Sequence, residues 1–266
     1  MPSAISLVTL LTDFGETDYF VPSMKGVILG INPQARILDL SHRIPPHGVE
    51  QAAFFLKSCY EYYPDGTVHV VVVDPDVGSD RRALLVSTSR YFFIAPDNGV
   101  LNYIFKEEAS VEVRAIENKQ YRLDSAGATF DGRDLFAPSA AWLTKGQMPG
   151  SYGRLIYDYV TLPDDSPKMH EDVLQGRIIY IDHFGNAITN ITPADMETFR
   201  SVTKRNSVGL KVGEMTINGL KTYYGEGATG LPEILINSNG YLEIFVKQGR
   251  AVDRCNIQVG QSVDLL

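Results

Sequence analysis

Asp74 and Arg81 stand out first, because their types and spacing suit chemistry. They lie in the stretch TVHVVVVDPDVGSDRR, residues 67–82. A carboxylate at the end of an apolar run is costly to place, and an arginine seven residues on can compensate it. Such a pair either faces a ligand or braces a loop, and this segment alone leaves both readings open. Three more polar clusters put carboxylates beside glycine and an aromatic ring. They are Thr12-Asp13-Phe14-Gly15 with Asp18 close behind, Thr129-Phe130-Asp131-Gly132-Arg133-Asp134, and Asp182-His183-Phe184-Gly185-Asn186. Asn237-Ser238-Asn239-Gly240 follows the last of these. Each has a plainer reading as well. Asp13 can cap a turn, Asp134 can N-cap a helix, and Asp182 and Asn186 can both form turns. His47 reads as a surface histidine, and Trp142 as core. No HExxH, CxxC, GxSxG or Walker pattern is present, and five histidines without close helical pairs do not make a transition-metal site.

The elements that must position these residues alternate in the first half. Residues 68–73 are apolar and β-branched apart from His69, the composition of a strand buried on both faces. Asp74-Pro75 ends it, since proline bars further ladder pairing. In open α/β sheets ligands bind at strand ends. Strands are expected over residues 5–11, 36–40, 83–88 and 91–95, the last two forming an antiparallel hairpin across Ser89-Arg90. Helices are expected over 21–31, 49–63, 100–105 and 135–145, and Pro96-Asp97-Asn98-Gly99 is a dense turn. This alternation predicts an N-terminal α/β domain, residues 1–165, with a mainly parallel sheet. Residues 161–172 are rich in Pro, Asp and Ser and read as a connection. Beyond it, short strands over 177–181, 208–212, 215–217, 233–237, 241–246 and 262–265, with 193–199 as the one helical segment, predict a smaller C-terminal domain, residues 173–266, built as a β-barrel or sandwich.

A net charge of -8 over 266 residues argues against a nucleic-acid partner and is compatible with a cationic small ligand. Cys59 and Cys255 form no disulfide framework, so reduced thiols and a cytoplasmic location are expected. The opening MPSAISLVTLLTDFG reads as a first strand rather than a signal peptide. No segment approaches the ~18 consecutive apolar residues of a membrane span, so no membrane partner is expected.

LTDFG, the strand followed by DPxVGSxR, APDNG, TFxGRDxFAP and DHFGNxxTN occur in this order. The set closely resembles the S-adenosyl-L-methionine (SAM) hydrolase family, the SAM hydroxide adenosyltransferases, which are related to fluorinating and chlorinating SAM enzymes. The resemblance covers nearly the whole chain. It implies an N-terminal α/β domain, a C-terminal β-barrel, and a homotrimer with active sites between the N-domain of one chain and the C-domain of the next. It implies SAM as substrate, hydrolysed to adenosine and L-methionine, with no cofactor and no metal.

The resemblance also implies residue roles. An Asp–Arg–His triad surrounds the attacking water in this family. Asp74 and Arg81 match its first two members, but the histidine position holds Asp131. An aspartate takes up a proton near pH 7 only if its pKa is raised, and a nearby arginine lowers it. Two carboxylates beside one water can instead share a proton, so Asp74 and Asp131 are expected to form a coupled pair with Arg81 orienting Asp74. Asp13 matches the ribose-diol position, Asp18 and Asp182 positions near the methionine ammonium, and Ser238 a carboxylate contact. Asn186 matches an adenine contact, Phe184 and Tyr223 the rings that sandwich the base, and Asn98 of APDNG is grouped with the substrate-binding residues. Three alternatives remain. A SAM-dependent halogenase would place an anion beside two carboxylates. A non-catalytic SAM or adenosine sensor would explain the changed third residue. A metal-dependent phosphohydrolase built on Asp13 and Asp74 would lack histidine ligands.

Overall fold

The computed structural model describes residues 6–127, 129–205 and 207–266. Two compact units divide the chain, Met1–Leu162 and Pro163–Leu266. The first unit contains β1 (Leu7–Thr12), α1 (Phe20–Ile31), β2 (Arg36–Ser41), α2 (Val49–Lys57), β3 (Val68–Val72), β4 (Ala83–Ser87), β5 (Phe92–Pro96), α3 (Asn102–Glu107), β6 (Glu112–Ala115) and α4 (Ala137–Thr144). Among the described residues its strands form one six-stranded sheet, in the order β2-β1-β3-β5-β4-β6. The pairs β2/β1, β1/β3 and β3/β5 are parallel, and β4 pairs antiparallel with both β5 and β6. The sheet is therefore mixed and mostly parallel, as the alternating pattern predicts, and the hairpin at Ser89-Arg90 is present. Ile5, in the first expected strand, lies outside the described residues.

β3 is buried along its whole length, and its alternating side chains explain the unbroken apolar run. Val68, Val70 and Val72 pack with Met24 and Ile28 of α1 and Ala140 and Ala141 of α4. Val71 and Val73 face the opposite core, with Leu56 of α2 and Ile104 of α3. His69 Nδ1 lies 2.8 Å from Thr9 Oγ1, and the ring sits among Tyr60, Tyr63, Tyr91 and Phe93. Burial pushes its pKa down to about 3.

The chain leaves β1 for β2 on one flank and returns to place β3 on the other. Strand order thus reverses between β1 and β3, the arrangement that opens a crevice beyond the strand ends. Thr12 pairs with Val72 at that edge, so Asp13 and Asp74 leave neighbouring strands at the same end of the sheet.

The second unit holds β7 (Lys168–His170), β8 (Val173–Ile181), β9 (Ala187–Thr189), α5 (Pro193–Thr203), β10 (Gly209–Val212), β11 (Met215–Asn218), β12 (Leu220–Lys221), β13 (Pro232–Ile236), β14 (Leu242–Val246), α6 (Ala251–Arg254) and β15 (Ser262–Leu265). They build a strongly curved, nearly closed sheet in the order β11-β10-β15-β8-β9-β14-β13-β12, with β7 paired to β8. Ile178, Leu210, Phe199, Ile234, Leu242, Ile244 and Leu265 fill it. A capping box between Thr192 and Asp195 starts α5.

Four expectations need correction. The segment 161–172 contains β7, which pairs with β8. The helix expected over 49–63 stops at Lys57 and is followed by a 3-10 turn, Tyr60–Tyr62, which buries Tyr60 against His69. The helix expected over 135–145 is entered through a π-helical turn, Gly132–Phe136. A second helix, α6, is present beside α5. β6, β9, β12 and α6 are two to four residues long, too short for periodicity to register. No helix among the described residues is long and apolar enough to cross a membrane.

His69 makes the first unit acid-sensitive. An unfolded histidine binds its proton near pH 6.5, whereas the folded one does so near 3. Stability is therefore whole above the ordinary histidine value and lost as pH falls toward 3. Between pH 7 and pH 4 the loss from this group is roughly 3 kcal/mol. His69→Asn, whose amide can keep the Thr9 bond without titrating, is expected to flatten the pH dependence of the urea midpoint over that window.

Candidate active site

Asp74 emerges where β3 ends, and its side chain is 8% exposed. Its Oδ1 accepts hydrogen bonds from Arg81 Nη1 and from the Asp76 backbone N–H at 3.2 Å. Arg81 also pairs with Asp76, so a single guanidinium ties both ends of the loop that follows the strand. Burial raises the Asp74 pKa; Arg81 and the Asp76 N–H oppose this, and the charge of Asp131 adds to the rise. Desolvation thus outweighs the arginine that was expected to hold the carboxyl down.

Asp131 stands immediately before the π-helical turn and also lines the cavity that Asp74 enters. That cavity has a volume of about 140 Å³. Phe14, Phe20 and Phe130 wall it, with ring centroids 5.1–5.9 Å apart. Gly132 suits the close approach of its neighbours. A Cβ there would stand 3.0 Å from the Phe130 ring, 3.1 Å from Phe14 and 3.3 Å from Met24 Sδ. Burial raises the Asp131 pKa, against Arg122, whose Nη2 donates to Oδ1 at 2.9 Å; the charge of Asp134 adds to the rise. Asp134 does not N-cap. Arg133 holds its carboxylate at 2.6 and 2.9 Å, and although burial acts upward, the bonds from Arg133 and Ser125 bring its pKa down.

The other first-unit candidates surround this cavity in the chain without lining it. Asp13 Oδ2 accepts the His47 backbone N–H at 2.9 Å, fixing a turn in which His47 takes a φ of 66°. Asp18 is exposed on the loop before α1. Asn98 Nδ2 donates to the Val73 carbonyl at 2.8 Å, and its Oδ1 accepts from the Val100 N–H at 3.2 Å. It therefore steadies the end of β3, one residue before Asp74.

In the second unit, Asp182 accepts from the Asn186 N–H at 2.8 Å and from its Nδ2 at 3.0 Å across the β8–β9 turn. Phe184 projects from that turn, 71% exposed. Ser238 is exposed on the β13–β14 turn, where Asn237 Oδ1 accepts the Asn239 and Tyr241 N–H groups. These segments converge on Glu243 of β14, which is 2% exposed and accepts from Tyr224 Oη at 2.9 Å and Asn237 Nδ2 at 3.0 Å. Burial raises its pKa despite those bonds, and the charge of Asp182 contributes. Tyr224 is thus committed to Glu243. Tyr223 keeps an exposed ring over Gly225, whose Cβ position lies 2.7 Å from it.

Sequence reasoning passed over Arg122, Asp76 and Glu243. Glu243 left a trace as one acid inside the apolar run YLEIFV. Asp76 lay within the DPDVGSDRR segment already singled out, whereas Arg122 left no local signal.

The fold and site define a class: a mixed α/β unit with two half-buried carboxylates at an aromatic-walled strand-end cavity, joined in one chain to a nearly closed β-sheet unit. The chain belongs to the SAM hydroxide adenosyltransferase family, whose N-terminal domain matches residues 8–153 and whose C-terminal domain matches residues 176–264. It is 32% identical to an (R)-S-adenosyl-L-methionine hydrolase of Methanocaldococcus jannaschii, over 98% of this chain and 96% of that one. It is also 32% identical to one from Thermus thermophilus, over 97% and 99%. A fluorinase of Actinoplanes is 27% identical over 97% and 96%. A crystal structure of an uncharacterized conserved protein from Thermotoga maritima superposes with a TM-score of 0.88 at 32% identity, covering 97% of this chain and 99% of that one.

Asn98→Ala removes the donor to the Val73 carbonyl. It is expected to cost about 1–2 kcal/mol in urea unfolding.

Proposed function

We infer that this chain is an (R)-S-adenosyl-L-methionine hydrolase that releases adenosine and L-methionine. The observation that carries this reading is that Asp74, paired with Arg81, lines one aromatic-walled cavity with Asp131 in a chain of this family. Water attacks C5′ in line with the C5′–S bond. The new C–O bond forms as the C–S bond breaks, and its electron pair goes to sulfur, leaving a neutral thioether. The water proton passes to a carboxylate, and orientation of water against C5′ supplies several kcal/mol. A largely dry cavity keeps the nucleophile and the sulfonium from being over-solvated.

The residue roles are part of the proposal. Asp74 and Asp131 hold the water as a coupled pair, one member of which accepts its proton, and Arg81 orients Asp74. Asp13 takes the ribose diol; Asp18 and Asp182 face the methionine ammonium; Ser238 faces its carboxylate. Asn186 reads adenine, and Phe184 and Tyr223 flank it. Tyr223 is favoured over Tyr224 because its ring is uncommitted. Asn98 acts on substrate through the strand end it steadies. Cytoplasmic action is supported by the free thiols of Cys59 and Cys255.

Chromatography of products formed from SAM in ¹⁸O-labelled water tests the reaction. Label in the 5′-hydroxyl of adenosine is expected; absence of labelled adenosine would overturn it, and a chlorinated nucleoside formed with added chloride would point to halogenation. Both carboxyls have raised pKa values, and the proton-accepting form exists only above them. The rate should therefore rise with pH through a limb above the ordinary carboxylate range. Asp131→Asn should lower kcat by roughly a hundredfold or more, and a wild-type rate would remove Asp131 from the coupled pair.

A homotrimer is likewise proposed, from the resemblance and because the candidate residues divide between the two units. Light scattering should give three times the chain mass; a fully active monomer would refute it.

A further inference from the structure

Arg122 follows a 3-10 turn, Lys119–Tyr121, whose start is capped by Asn118 accepting from the Gln120 N–H at 3.0 Å. The next residue fixes it against the π-helical turn. Pro138 has no N–H, so it cannot donate to the carbonyl of Asp134 four residues back. The Leu123 N–H takes that carbonyl at 2.8 Å. This bond delivers Arg122 to Asp131, where Nη2 meets Oδ1 at 2.9 Å. Arg122 is 44% exposed and Asp131 19%. Arg122 lines the outer groove formed by residues 116–127, whereas Asp131 lines the aromatic cavity.

We propose that Arg122 is a positioning residue of the hydrolytic site, holding Asp131 as the anionic member of the pair so that Asp74 is the carboxyl that takes the water proton. This rests on the hydrolase reading above. The charged groups around Asp131 support the division of labour. Arg133 and Asp134, on its own segment, are paired with each other. Asp74, Asp76 and Arg81 form a separate set at the end of β3. α1 offers only Lys25, which is paired with Asp39, and α4 has no ionisable side chain. Arg122 is the cation bonded to Asp131, and the Asp131 charge in turn raises Asp74. In the reaction the water oxygen bonds to C5′, the C5′–S pair goes to sulfur, and the proton goes to Asp74. Asp131 and Arg122 carry the same charges before and after.

The test compares Arg122→Gln and Arg122→Lys by pH–rate profiles of adenosine release. In Arg122→Gln the acid limb should move up by about one to two pH units, with kcat low at pH 6, recovering as pH rises, and KM within twofold. Arg122→Lys should restore most of the profile. In an Asp131→Asn background, Arg122→Gln should change kcat by less than twofold, because the partner it acts through is gone. An unchanged acid limb in Arg122→Gln, or an equal loss in the Asp131→Asn background, overturns the proposal. Carboxyl NMR titration of Asp131 in substrate-free protein should show a higher pKa in Arg122→Gln, and an unmoved one overturns the proposal. That readout separates the two hypotheses: a wild-type protein inert toward SAM sinks the hydrolase reading, whatever the titration shows. If Arg122→Gln fails to fold, Arg122→Lys decides. Its limb should lie no more than half a unit above wild type, and a larger displacement refutes replacement of one cation by another.

Discussion

A carboxylate leaving a strand buried on both faces is the constraint from which the site follows. β3 has helices on either side and parallel neighbours on either edge, so Asp74 emerges into a poorly hydrated place. Exposure to water would normally stabilise its charge; here Arg81 does so in part, and the same guanidinium ties Asp76. Burial still prevails, and the carboxyl holds its proton more readily than an ordinary aspartate. A group so poised suits the removal of a proton from water at the moment a cationic sulfonium becomes neutral. Asn98 and the aromatic wall matter because the one fixes that strand end and the other partly shields it from water.

Asp131 reaches the same cavity by different physics. The entry to α4 is wound as a π-helical turn, and Gly132 permits the rings of Phe14 and Phe130 to approach it. The proline in the first turn of α4 frees the Asp134 carbonyl, which the Leu123 N–H takes up, while the adjacent Arg122 bonds Asp131. Irregular helical geometry is thereby linked to the ion pair between Arg122 and Asp131. A π-helical segment at a functional position is a recurrent pattern, and here its contribution can be traced to individual bonds.

The second unit is built around a buried acid of its own. Glu243 draws Tyr224 and the Asn237 turn together, while the β8–β9 turn is closed by Asp182 and Asn186. These bonds leave Phe184, Tyr223 and Ser238 exposed at loop tips. Rigid, hydrogen-bonded turns that present free aromatic and hydroxyl groups suit recognition of a flat base and a polar tail.

The sequence by itself determined the fold class, the buried central strand and the Asp74–Arg81 pair. Each is encoded locally, in an apolar run, a proline stop and a short loop. Alternation of side chains and turn residues acts over a few positions, and such signals survive in a linear reading. The tertiary structure alone decided that Arg122 meets Asp131, that Asn98 serves the strand end, and that Glu243 organises the second unit. Those partnerships depend on which backbone groups are left unsatisfied when elements pack, and that becomes defined only once the chain has closed on itself. The net direction of the two pKa shifts was also a tertiary decision, because desolvation depends on everything that surrounds a charge, whereas a sequence shows only its neighbours.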